Sequence, residues 1–305
     1  MTKPVQSLVC LVLLVAALGV YPANARAMGV ESLLSVYSAA RPVLDDPDQE
    51  NRFYLKASVN KRKQAGEAAV YFDQPFNAIA DRLSQGSSWC SILILHLNIK
   101  ACTYSPLADS DESLTVYLGR KFYQDPDDAY VMKYDFHTDR QDNYFSAVIT
   151  AEKGPLGTSD YRIQLEVTDI GGRTFGRFLV SQKHSWISAR AAKLYLATVG
   201  RDKLGISIVG TDDDGKPIYS TGERAVAERN ILRYYFAFTA FFHNDGTEEF
   251  EDFRERLNYW FDQTERYQQL YELDREQYLA DKEKELQNQI ALQSSQYIDQ
   301  ETYKK

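Results

Sequence analysis

The sequence predicts an α+β fold: an antiparallel sheet packed on a long helix, followed by an amphipathic helical extension. Three observations predict it. Five runs rich in β-branched and aromatic residues lie between residues 113 and 184, separated by polar, Gly- or Pro-bearing turns. Such runs mean an antiparallel meander with one face buried. Residues 224–242 then carry apolar and aromatic side chains at helical spacing. After Asn244-Asp245-Gly246 the composition shifts. Residues 247–305 lack Gly and Pro and hold fifteen acids against eight bases, so −7 of the net −8 sits there.

The chain opens as a secretory signal. Lys3 precedes an apolar run, Leu8 to Val20, and the triplets Ala23-Asn24-Ala25 and Ala25-Arg26-Ala27 follow. A positive start, a short apolar core and a small-x-small end mark a cleaved leader. The run is too short to span a bilayer core of roughly 30 Å comfortably. The expectation is therefore a signal peptide over 1–27 and a periplasmic or secreted mature chain of about 280 residues. Such a length suits one large domain with an appendage. The division expected is a helix and linker over 28–48, an α+β domain over 49–245, and an acidic helical or coiled-coil extension over 246–305.

The elements follow in order. Val30, Leu33, Leu34 and Tyr37 space a short helix, which Pro42 should stop. Phe53, Leu55, Ala57 and Val59 alternate with polar residues, and so do Ala68, Val70 and Phe72. They predict a hairpin whose turn is the basic stretch 61–66. Asp73 is placed to cap a helix with Pro75 just inside it. That helix has Phe76, Ile79, Ala80 and Leu83 on one face and should end at Gly86. A second short element holds Trp89 and Cys90 and leads into a strand over about 95–104. The meander comes next, then a helix over 187–199, a strand through Leu204, Ile206 and Ile208, and the aromatic helix. In the extension, Phe250, Phe253, Leu257 and Trp260 recur three or four apart, as on one long amphipathic helix. Its end, past Tyr278, should stay solvated.

Little in the sequence points to chemistry. Two cysteines remain after the leader, Cys90 and Cys102. In an oxidising compartment the simplest reading is a disulfide, with free buried thiols as the alternative. The four histidines share no metal-ligand spacing. Asp135-x-His137 puts two side chains on one strand face, an arrangement that can serve acid–base work but is common without it. Asp212-Asp213-Asp214-Gly215 is a fragment of a calcium loop and reads better as a hairpin turn. No nucleophile motif, phosphate loop, metal site or cofactor motif is present, so no catalytic residue is assigned. The net charge of −8 argues against nucleic acid.

The element order resembles the helix-grip fold of START-like lipid-binding domains over about residues 50–243. A strand pair leads to two short helices, a curved antiparallel sheet and a long helix. Pro75-Phe76, Ile79, Leu83 and Trp89 are similar to that family's first helix and the Trp before its next strand. The resemblance implies an enclosed apolar pocket for a lipid or other hydrophobic small molecule. Trp89, Tyr234, Phe238 and Phe241 would then bind the ligand. Two readings compete. One is an exported, non-enzymatic binder of an apolar ligand. The other is an envelope interaction protein whose segment 247–305 recruits another protein or drives self-association through Phe250, Phe253, Leu257 and Trp260.

Overall fold

A computed structural model describes residues 23–48, 53–60, 62–105, 113–185, 190, 203–243 and 250–303. Residues 1–22 of the signal peptide expected over 1–27, the Asn244-Asp245-Gly246 break and, apart from residue 190, the helix expected at 187–199 lie outside the described residues.

An eight-stranded sheet organises the chain. The strands are β1 (Phe53–Val59), β2 (Lys63–Phe72), β3 (Ile99–Ser105), β4 (Ser113–Leu118), β5 (Tyr130–Gln141), β6 (Tyr144–Lys153), β7 (Ser159–Ile170) and β8 (Arg173–Lys183). Their order is β1-β2-β8-β7-β6-β5-β4-β3, and every neighbouring pair is antiparallel. Alternation assigns the faces. Ala68, Val70, Phe136, Phe145, Leu165 and Phe178 point inward to the main core, while Ala69, Tyr144 and Phe175 point outward.

The outer face is covered at one end by α1 (Ala23–Leu44), through Leu33, Ala40 and Leu44. Pro42 does not stop this helix but lies within its last turn. The β1–β2 turn is tighter than expected. Asn60 Oδ1 accepts the amide N–H groups of Arg62 and Lys63, an Asx arrangement that closes the hairpin at once. Residues 63–66 are therefore strand, not loop. Gly66 pairs with Ala57 and Val180. A Cβ there would lie 2.8 Å from Ile231 Cβ and 2.9 Å from the Ala227 carbonyl. This glycine serves a helix crossing and not a turn.

Two helices carry the chain from β2 to the far edge. α2 (Phe76–Leu83) buries Phe76, Ile79, Ala80 and Leu83, the predicted face. Pro75 is its N-cap residue, and no side chain caps it, so Asp73 does not fill that role. Gly86 opens α3 (Gly86–Leu93) rather than closing α2. Within α3, Cys90 forms a disulfide with Cys102 of β3. Ile208–Thr211 and Pro217–Tyr219 form a separate two-stranded ribbon, β9 and β10, outside the main sheet. Asp212 Oδ1 accepts the amides of Asp214 and Lys216, which makes 212–215 its hairpin turn.

The long helix, α4 (Gly222–Phe241), packs on β1, β2 and β8 on one side and on α3 on the other. That double contact explains why it is apolar around most of its circumference. Sheet order, the α2–α3 pair and this helix after the last main strand together make a helix-grip α+β fold. β1 forms one edge of the sheet.

The extension is not one helix. It divides into α5 (Phe250–Glu265), a 3₁₀ turn at Gln268–Leu270 and α6 (Arg275–Tyr303). Asp274 Oδ1 accepts the Gln277 amide and starts the second helix. Nor is the extension a separate appendage. Phe253, Leu257, Trp260, Leu270 and Tyr278 belong to the same core as the sheet. The Trp260 indole N–H donates to the Arg233 carbonyl at 3.0 Å and stacks on Tyr278 at 4.7 Å. The Tyr278 hydroxyl donates to the Leu95 carbonyl at 2.9 Å.

Beyond Tyr278, α6 stays on the domain along the β3 edge. Lys282 Nζ donates to the His96 and Ile99 carbonyls and to Glu285, and Lys100 Nζ donates to the Leu97 and Phe122 carbonyls and to Glu285. All six ammonium N–H bonds are thereby used. One helical turn on, Gln289 accepts the Cys102 amide, Gln293 bonds both the amide and the carbonyl of Tyr104, and Gln296 donates to Thr103 Oγ1.

Candidate functional site

A cleft of about 600 Å³ opens at the end of α4, between the β1–β2 hairpin, α5 and the segment after it. Its walls are rings. Phe53 and Phe72 come from the hairpin, Tyr235, Phe238 and Phe242 from the aromatic helix, and Tyr259 and Tyr267 from the extension. Phe238 lies 5.1 Å from Phe72 and 5.0 Å from Phe242, centroid to centroid. Tyr267 stacks on Phe236 at 5.7 Å. Such spacings are ordinary for aromatic packing, so the walls hold one another in place. The polar lining is Asp73, Gln74, Thr239, His243, Gln263 and Arg266. His243 stacks on Tyr259 at 4.1 Å. Burial raises the Tyr235 hydroxyl above its ordinary value, so the phenol is neutral and a donor.

Gln74 forms part of the cleft boundary. Its side-chain amide donates to the Phe242 carbonyl at 3.1 Å, and its own carbonyl accepts from Thr174 Oγ1 at 2.8 Å. On the other side of residues 71–74 lies a second cleft of about 660 Å³, lined among others by Asp142, Asn143, Asp169 and Arg173.

The four expected ligand residues part company here. Phe238 lines the aromatic cleft. Trp89 does not: its indole N–H donates to the Leu83 carbonyl at 3.0 Å, and its ring packs 6.2 Å from Phe136. Tyr234 stacks on His96 at 4.4 Å in the core. Phe241 is buried beneath the Arg82 guanidinium, 4.3 Å from its centroid. Trp89, Tyr234 and Phe241 are buried in the core and are not part of the wall of this cleft. Phe253, Leu257 and Trp260, expected to meet a partner, are each buried inside this chain. They present no surface, because the domain core consumes them. Phe250 opens α5, and its side chain lies outside the described residues.

The candidate catalytic pairs gain nothing from the fold. Asp135 and His137 are both exposed on the outer sheet face. His96 is buried, and its imidazole is pushed well below its ordinary pKa, first by desolvation and then by Arg233 and Lys282. It is neutral, with Nδ1 accepting the Asn98 amide. Among the described residues, no cluster of three or more His, Cys, Asp or Glu could hold a metal ion. No described helix is long and apolar enough to cross a membrane.

Sequence reasoning missed Phe53, Phe72, Tyr259 and Tyr267. The hint available was the 21 tyrosines, too many for a solvated surface and suited to walls with one wet side. What brings them together is non-local: β2 pairs with β8 a hundred residues on, and α5 folds back over the hairpin.

No protein-family model matches the chain, and no curated protein matches it in sequence. Among solved structures it is similar to a fragment of a STAR-related lipid transfer protein from Xanthomonas axonopodis, with 8% identity and a TM-score of 0.30, over 48% of this chain and 92% of that one. It is also similar to human STARD10, with 9% identity and a TM-score of 0.29, over 56% and 76%. A third is a protein from Arthrobacter aurescens, with 9% identity and a TM-score of 0.32, over 65% and 96%. With TM-scores near 0.3, these likenesses carry no argument about this chain.

Proposed function

We propose that this chain is an exported, non-enzymatic protein that binds an apolar small molecule, a lipid or an aromatic compound, in the cleft at the end of α4. The observation that carries the reading is the cleft itself: nine aromatic side chains around an open space of about 600 Å³, a size typical of small-molecule sites, with polar atoms over most of its accessible lining. The polar groups of its lining, Asp73, Gln74, Thr239, His243, Gln263 and Arg266, would orient the polar end of a ligand. Residues 1–27 supply the export half of the reading. The rival reading, recruitment of a partner through the 250–260 seam, loses its surface to intramolecular packing.

Titration with a fluorescent fatty-acid probe tests the proposal. Thr239 lines the cleft and is half-buried, so Thr239→Trp fills the space from one wall. Saturable binding by the native chain, abolished in Thr239→Trp and weakened in Tyr259→Ala, is the expected result. Equal binding by all three chains would remove the cleft from the argument.

A further inference from the structure

Apart from the two clefts, a cavity of about 250 Å³ lies where α3, β3, α5 and α6 meet. Its wall includes both cysteines of the disulfide, Cys90 of α3 and Cys102 of β3. Ile94 and Phe253, at 0% and 2% exposure, belong to its buried side. From α6 come Ile290, 56% exposed, and the exposed Ser294, which mark the side that meets water. Neither cysteine lies on the molecular surface, since Cys90 is 2% exposed and Cys102 1%. The cavity is therefore what brings open space up to the disulfide.

Size sets what can enter. The cavity is smaller than the roughly 300–1,000 Å³ of drug-sized sites. It is larger than the cavity of about 150 Å³ that admits benzene in an engineered core. A small organic thiol fits within it and a peptide-sized thiol does not. Ser87 and Ser91, on either side of Cys90 in α3, add polar wall to the apolar floor, which suits a neutral molecule carrying a hydroxyl. Arg256 lines the cavity too. Its guanidinium packs on Phe253 and its Nε donates to the Asp252 carbonyl, and no part is assigned to its charge. The amide of Cys102 is the one that Gln289 of α6 accepts, so the disulfide lies at the seat of that helix.

We infer that this cavity is a thiol-exchange site, where a low-molecular-weight thiol reaches the Cys90–Cys102 disulfide in the folded protein. The thiolate of the small thiol bonds to one cysteine Sγ as the Cys90–Cys102 bond breaks. The electron pair of that bond leaves on the other Sγ, which takes a proton from water. The product is a mixed disulfide on one cysteine and a free thiol on the other. A second small thiol then attacks the small-molecule sulfur of the adduct and releases the second protein thiol. Two small thiols are oxidised to their disulfide, and the protein disulfide is reduced. The tie between α3 and β3 is thereby opened beneath α6. The site does not depend on the aromatic cleft.

The test uses the full mature chain and two variants, Ile290→Trp, which fills the cavity from its exposed side, and Thr239→Trp, which lies in the aromatic cleft. Each chain is reduced with 2-mercaptoethanol or with glutathione at matched thiolate concentration, and free thiols are counted by alkylation and mass spectrometry. In urea strong enough to unfold the chain the two thiols should act alike, which calibrates their reactivity. On the folded native chain 2-mercaptoethanol should be faster by about tenfold, equivalent to about 1.4 kcal/mol on the barrier. Ile290→Trp should lose that advantage while its unfolding rate, measured by denaturant jump, matches the native one. Thr239→Trp should be reduced as the native chain is, whatever its probe binding. Acid quenching part-way should trap the mercaptoethanol adduct on Cys90 or Cys102. Low urea separates the routes, because reduction through the cavity stays flat and reduction through global unfolding climbs with the slope of the unfolding transition. Should Ile290→Trp fail to fold, Ser294→Trp takes its place, and the two thiols on the native chain still decide. A rate common to both thiols on the native chain that climbs along the unfolding slope would overturn the site.

Discussion

Two helices hold on to the same sheet by opposite means. α4 crosses the β1, β2 and β8 end with rings and aliphatic groups, and only glycine at position 66 lets it come close. α6 lies along the β3 edge and holds it with Lys282, three glutamines and Glu285, which meets Lys100 of β3. The first contact is non-directional and roughly proportional to the area removed from water. The second depends on every donor finding its acceptor, since a buried charge left alone is costly while a fully paired one is tolerated. An edge strand also needs cover, because its open backbone invites pairing with another chain. Gln289 and Gln293 provide that cover by accepting the Cys102 and Tyr104 amides that a ninth strand would have taken.

The contrast predicts how each contact fails. Truncation after Leu279 has the largest effect, since it strips Lys100 of its carboxylate and leaves β3 bare. We expect loss of the cooperative melting transition or aggregation, checked by circular dichroism and light scattering. A monodisperse truncated chain with unchanged melting would show that α6 beyond Leu279 is decoration.

Glu285→Ala isolates the charge. Two buried lysines would share no counter-ion, and the loss should be about 3–5 kcal/mol in a denaturant titration. Lys282→Met in the same background should recover part of it by removing one of the orphaned charges.

Reduction of Cys90–Cys102 follows, at about 2–3 kcal/mol for so short a loop. Thiol labelling of the denatured, unreduced chain should find neither cysteine free.

Acid touches a third kind of contact. Burial alone would raise the Glu272 carboxyl, but bonds from Lys121 and Lys203 and the charge of Arg233 outweigh it and hold it at about 2, below its ordinary 4.5. The stability it lends is whole above about pH 4.5 and drains away as the pH falls towards 2. Glu272→Gln should flatten the acid limb of a melting-temperature profile over that window.

Smallest is Gln293→Ala, which removes two neutral bonds to Tyr104 and should cost about 1–2 kcal/mol. Its sharper signature is faster hydrogen exchange at the Tyr104 amide, with the β2 amides unchanged.

The same contrast governs what could be read in the sequence. Periodicity revealed α2, the meander strands and α4, because apolar burial leaves a spacing of two or of three to four. Lys282 and Glu285 look like an exposed i,i+3 pair on an acidic helix, and Gln289, Gln293 and Gln296 look like a solvated stripe. Nothing local separates a polar face that meets water from one that meets a strand edge. The 266–274 break did leave a trace. Asp274 with Gln277 three residues on is a helix-start pattern, masked by the continuing run of Glu, Gln and Tyr. Gly66 misled for the converse reason: beside a basic stretch it suggests a turn, whereas its reason is Ile231, 165 positions away. The cleft was legible only as a surplus of tyrosine.

The β3 edge has a further consequence, in the time taken to make the protein. Lys100 meets Glu285 across 185 positions, Leu95 meets Tyr278 across 183, and Cys102 meets Gln289 across 187. A chain emerges N-terminus first, and contacts this distant in sequence close late. While the last thirty residues are still being delivered, the disulfide can already have formed on a sheet whose edge is open and whose Lys100 has no partner. Arrival of α6 is therefore the event that seals the molecule, and a chain cut short announces itself by an edge that other chains and proteases can reach.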